Sequence, residues 1–166
     1  MKPISLSESE IKICSWLASH RYTNNRAGSI TDRKIGPQSV ESTDLEGICG
    51  EFAVCKYLNI YPDLSIHVRK GGEDGLLKKL SFDVKTTKYK TGKLIASITK
   101  NTSETNIYIL AIGFKGEYTI AGWCFAVDLF KDENITDLGY GPVYGLSQDR
   151  LNVSIEGLKF INVINT

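Results

Sequence analysis

The chain has 166 residues, 42% of them hydrophobic and 23% charged, with a formal net charge of +1. This size and balance suit one domain, 1–166, with apolar content enough for a core. They exclude a helical membrane span, since no apolar run reaches the roughly 18 residues required. A cysteine-histidine zinc site is not expected either. Cys14, Cys49, Cys55 and Cys124 show no paired spacing, and His20 and His67 stand far apart. The opening "MKPISLSESE" has no apolar leader, so a cytoplasmic protein with reduced, mostly buried thiols is expected.

In "SLSESEIKICSWLASH", Ser7 stands three residues before Glu10 as in a capping box. Ile11, Cys14 and Leu17 or Ala18 follow at helical spacing. The polar stretch "RYTNNRAGSITDRKIGPQSVEST" reads as a long loop, with Arg21, Arg26 and Arg33 as candidate substrate contacts. This helix and loop, 1–43, precede the core. A second helix is expected from Thr43 or Asp44 to about Asn59. Alternating apolar runs at 65–69, 81–87, 94–99, 107–113 and 118–126 predict strands. A short helix is expected at 126–131, "LGYGPVYG" as a turn-rich connection and "LKFINVI" as a late strand. Helices followed by consecutive short strands predict an α/β domain, bordering on α+β, around one mixed sheet.

Charge is unevenly spread. Residues 67–100 carry nine basic and three acidic groups, and 101–166 carry four basic and eight acidic. A lysine-rich strand face is ordinarily a solvated one, and it is also a face that can meet phosphates.

The second helix, "DLEGICGEFAVCKYLN", turns about 100° per residue. Leu45, Ile48, Phe52, Cys55 and Leu58 then define one apolar arc. Glu46 falls opposite, as a solvated carboxylate should, whereas Glu51 falls inside the arc. A carboxylate there needs water at the margin, a cationic side chain or a bound cation. Gly47 and Gly50 are expected to let this helix approach the sheet closely.

In "SFDVKTT", Phe82 and Val84 point to one face of a strand, and Asp83 and Lys85 to the other. If "EDGLLKKLSFDVK" is a hairpin turning at Lys78 and Lys79, residue 77 pairs with 80, 76 with 81, 75 with 82 and 74 with 83. Asp74 then faces Asp83. Any even-length turn preserves that parity. Lys-Lys is a poor two-residue turn, so a four-residue loop from Leu77 to Leu80 is expected. Two facing carboxylates require a proton or a cation to offset their repulsion, and a hard divalent ion suits them.

Glu51 in "GEFAV", Asp74, and Asp83-Val84-Lys85 together resemble the PD-(D/E)XK nuclease superfamily, in a restriction-endonuclease-like or resolvase-like, phage or bacterial form. "DVKTT" followed by "GKLIAS" strengthens the likeness, which covers roughly residues 44–126. Glu73 stands where the family has proline before the first aspartate, and it is a candidate extra ligand. The Pro62-Asp63 pair is the alternative, but Asp63 has no register that pairs it with Asp83.

The resemblance implies a restriction-endonuclease-like mixed sheet flanked by helices. It implies Mg²⁺, replaceable by Mn²⁺, held by Asp74, Asp83 and the Val84 carbonyl, with Glu51 binding directly or through water. Lys85 would position or activate the attacking water. Thr86, Thr87, Lys88, Lys90, Lys93 and Arg26 would contact nucleic acid, DNA first and RNA not excluded. Tyr89 and Trp123 are expected in core or sheet roles, with base stacking as the alternative. Near-zero net charge leaves few spare phosphate contacts, so a homodimer or a larger partner would help hold substrate. The competing expectation is a catalytically inactive module of this fold that grips nucleic acid or a protein.

Overall fold

The computed structural model describes residues 3–28, 40–67, 73–154 and 157–158. Strand β1 (Ile4–Ser5) is followed by helices α1 (Glu8–Ala27) and α2 (Val40–Leu58). A hairpin of β2 (Gly75–Leu77) and β3 (Leu80–Thr87) comes next, then β4 (Leu94–Ser97), β5 (Ile107–Phe114) and β6 (Glu117–Phe125). A one-turn helix, α3 (Ala126–Leu129), leads to β7 (Ile135–Asp137) and β8 (Pro142–Leu146).

The capping box forms as expected. The Ser7 hydroxyl accepts from the Glu10 N–H, and the Glu10 carboxylate accepts from the Ser7 N–H. Burial opposes ionisation of Glu10, but bonds from Lys56 and Ser7 outweigh it and hold this carboxyl below its usual range. Its contribution to stability is therefore present above the unfolded carboxyl range and lost as pH falls through the lower folded value. Ser7→Ala is expected to lower unfolding stability by about 1 kcal/mol, read by urea denaturation at neutral pH. An unchanged midpoint would show that the box adds nothing.

α1 runs to Ala27, well into the stretch expected to be loop. The extension is held from outside the helix. Arg21 donates to the Asp63 and Ser65 carbonyls, and Asn24 to that of Ile66. Arg21 and Arg26 are therefore helical residues, and Arg33 lies outside the described residues. α2 likewise begins at Val40, before the expected Thr43. Residues 65–67 are not a strand, and these same α1 side chains take the Ser65 and Ile66 carbonyls, while 68–69 lie outside the described residues. Most of "LKFINVI" also lies outside them.

Five strands form a mixed sheet in the order β1-β6-β5-β3-β2, with β3 parallel to β5 and the other neighbours antiparallel. This is the expected α/β class. The single sheet is corrected: β4, β8 and β7 form a second, three-stranded sheet. β8 lies inside "LGYGPVYG", where glycine and proline signal a turn; antiparallel pairing with β4 and β7 overrides them.

The large sheet is buried on both faces. Phe82, Val84, Ile107, Ile109 and Ile120 pack under Leu17, Ile48 and Phe52 of the two long helices. Tyr108, Leu110 and Cys124 pack on the other side with Leu94, Leu129 and Leu146. All four cysteines are buried free thiols. Among the described residues, no helix is long and apolar enough to cross a membrane.

Candidate functional site

The β2–β3 hairpin has the expected parity, with Leu77 opposite Leu80, Leu76 opposite Ser81 and Gly75 opposite Phe82. Its turn is two residues, not four. Lys78 makes this tight turn by adopting a left-handed φ of 59°. The regular ladder ends at Gly75. Asp74 donates its N–H to the Phe82 carbonyl, and its Oδ2 accepts from the Val84 N–H at 2.7 Å. N–H and C=O of one strand residue leave on the same edge, so the Val84 carbonyl emerges beside Asp74.

Asp83 and Lys85 lie on the sheet face away from the long helices, in register with Tyr108 and Leu110 of β5. Asp83 is only 4% exposed. Its Oδ1 contacts the Lys85 ammonium, and its Oδ2 lies 3.6 Å from Lys100 Nζ. Lys100 also reaches Glu104 at 2.9 Å. The Tyr108 hydroxyl is buried with no geometric hydrogen-bond partner; burial raises its pKa, and Asp83 and Asp74 add to the effect.

Glu51 arrives from the other side. It is buried on α2, as its place on the wheel implies, and lies 3.4 Å from the Arg21 guanidinium. The Cys55 thiol is pushed up to about 12 by burial first, then by Glu51 and Asp74. Asp74 stands just before β2, with its carboxylate on the Val84 N–H. There β2 ends, and among the described residues no strand pairs with that edge of β3 beyond Phe82.

α2 reaches this edge because of Gly50. A Cβ there would stand 2.0 Å from Thr86 Oγ1, whereas one at Gly47 would meet nothing within 4 Å. Close approach therefore belongs to Gly50 alone. Glu46 is a correction: it is half-buried and accepts from the Tyr118 hydroxyl at 2.6 Å and from the Lys115 N–H. α2 packs on both α1 and the sheet, so its buried surface is wider than one arc.

The remaining candidates spread along the end of β3. Thr86 Oγ1 is buried against Gly50 without a hydrogen-bond partner. Lys88, Tyr89, Lys90 and Lys93 are exposed on the following loop, which Gln148 pins through the Lys90 and Gly92 carbonyls. Arg26 lies on α1 with its guanidinium over the Tyr22 ring. Asp63 serves Arg21 and the Ser65 N–H. Glu73 is exposed. Trp123 is in the core, its indole N–H donating to the Ser154 carbonyl.

Lys100 and Tyr108 belong to this cluster and were not singled out as site residues from sequence. Tyr108 carried a signal, as the one polar-tipped residue facing Asp83 across the parallel pair. Lys100 carried none, since it arrives through a turn closed by its own N–H on the Ser97 carbonyl.

Among the described residues, no group of three His, Cys, Asp or Glu side chains stands ready to hold a metal ion. Two carboxylates and a backbone carbonyl at one strand edge are nevertheless a donor set that suits Mg²⁺, which usually keeps several waters and takes one or two carboxylates. The chain matches no protein-family model, and comparison with curated proteins and solved structures also finds no match.

Proposed function

We propose that this chain is a Mg²⁺-dependent nuclease of PD-(D/E)XK type that hydrolyses phosphodiester bonds in DNA. The observation that carries the reading is Asp83. It is a nearly buried carboxylate touched by the D-x-K lysine, at the edge where Asp74 and the Val84 carbonyl emerge. Asp74, Asp83 and the Val84 carbonyl would hold the cation, with Glu51 reaching it through water from the Arg21 side. A bound Mg²⁺ would acidify a water and offset charge on the reacting phosphate.

The chain's own groups do the rest. Lys85, 31% exposed at its side chain, is tethered to Asp83 and can present its ammonium to a water or a phosphate oxygen. Asp74 holds the Val84 amide, which fixes the backbone that carries both Asp83 and Lys85. Thr87, Lys88, Lys90 and Lys93 would position the nucleic-acid backbone, and Tyr89, which at 59% exposed is not the core residue expected, would stack on a base.

The cationic partners of Glu51 and Asp83 also favour a second reading, an inactive module that uses this surface to grip nucleic acid or a protein. Calorimetric titration with Mn²⁺ separates the two. A nuclease binds the ion, and Asp83→Asn loses that binding. A protein that takes up no Mn²⁺ or Mg²⁺ is the module.

A further inference from the structure

Asp83 is served by two ammonium groups, one more than the D-x-K spacing supplies. Lys85 holds one carboxylate oxygen, and Lys100, only 12% exposed at its side chain, stands 3.6 Å from the other. Lys100 is shared with Glu104, and that contact is the shorter, at 2.9 Å. Two carboxylates and two ammoniums thus balance one another. A divalent cation on Asp83 would break the balance, because it adds positive charge beside two ammoniums and like charges repel at this range. Lys100 can leave Asp83 without losing an ionic partner, since Glu104 already holds it.

Resting on the metal-site reading of Asp83, we infer that Lys100 occupies the cation's place on Asp83 in the unloaded protein and that Glu104 receives it when the cation arrives. Three properties follow. Lys100 keeps Asp83 neutralised at a site that burial would otherwise make costly. It weakens cation binding in the absence of substrate. Once displaced, it stays paired with Glu104, so its release leaves no unpaired ammonium behind. Lys100 is a positioning residue, acting through Asp83.

The test is Mn²⁺ titration by calorimetry at fixed pH and salt, without nucleic acid, on the wild type and on Lys100→Met, Lys100→Arg, Glu104→Gln and Asp83→Asn. Lys100→Met removes the competitor and should bind Mn²⁺ about tenfold more tightly. Lys100→Arg keeps the charge and should stay near the wild type. Glu104→Gln removes the alternative partner and should bind more weakly. A merely structural Lys100 would lower the melting temperature and leave Mn²⁺ affinity unmoved. Lys100→Met binding Mn²⁺ no more tightly than the wild type overturns the inference while leaving the metal site standing. Absence of Mn²⁺ binding in every variant overturns the metal reading, and the competition with it. Circular dichroism confirms that each variant is folded, and Glu104→Gln tests the inference in the opposite direction if Lys100→Met does not fold.

Discussion

Asp83→Asn is expected to abolish Mg²⁺-dependent DNA cleavage, and Lys85→Met to lower it by about 10²- to 10⁴-fold. Both variants are expected to keep the fold. Asparagine matches aspartate in shape, so it removes the charge that would hold a cation without opening a cavity. The two lysines it leaves behind are not stranded: Lys100 retains Glu104, and Lys85 is 31% exposed at its side chain and reaches water. Methionine at 85 keeps an aliphatic stem of similar length and deletes the ammonium, whose Nζ lies 5.8 Å from the centre of the Tyr108 ring. Single-turnover cleavage measured beside thermal melting separates chemistry from folding. Folded variants that cut at the wild-type rate would remove Asp83 and Lys85 from the mechanism.

Gly50→Val is expected to lower stability by roughly 3 kcal/mol, and Gly50→Ala by less. The added Cβ would stand 2.0 Å from Thr86 Oγ1 and 3.0 Å from its Cβ. β3 cannot retreat, because at Thr86 it is paired with Ala111 of β5 in the parallel ladder. Helix propensity favours alanine over glycine by about 1 kcal/mol, which softens the smaller substitution. Thr86→Ala should restore much of the loss in Gly50→Ala, since the hydroxyl it deletes is buried without a hydrogen-bond partner. Thermal melting of the two single variants and the double variant reads this coupling. A Gly50→Val melting temperature equal to that of the wild type would mean that α2 does not seat on β3, and Glu51 would then have no fixed place at the sheet edge.

Local chemistry was legible where one residue type settles the matter. Ser7 and Glu10 mark a helix start, and alternation in 81–87 separates Asp83 and Lys85 from Phe82 and Val84. Parity alone brings Asp74 towards Asp83 for a turn of any even length. The turn length was not legible, because it depends on Lys78 accepting a left-handed φ that lysine rarely adopts. The end of α1 was hidden for a similar reason. "RYTNNRAG" has the composition of a loop, and it is helical because Arg21 and Asn24 bond a segment some forty residues later. β8 contains proline and glycine and exists through its pairing with β4 and β7. Glu51 could be singled out by its position on the apolar arc, whereas Glu46 could not be placed, since its partners come from the β5–β6 turn and from Tyr118 on β6. Lys100 escaped notice because its contact with Asp83 closes through tertiary structure, seventeen residues along the chain.

The central claim is that this surface cuts phosphodiester bonds with a divalent ion. Its most direct test is incubation of the protein with end-labelled duplex, single-stranded and branched DNA, and with RNA, in Mg²⁺, in Mn²⁺ and in EDTA. The account predicts cleavage of at least one DNA substrate in Mg²⁺ or Mn²⁺ and none in EDTA. No cleavage of any substrate in either metal, or equal cleavage in EDTA, would contradict it.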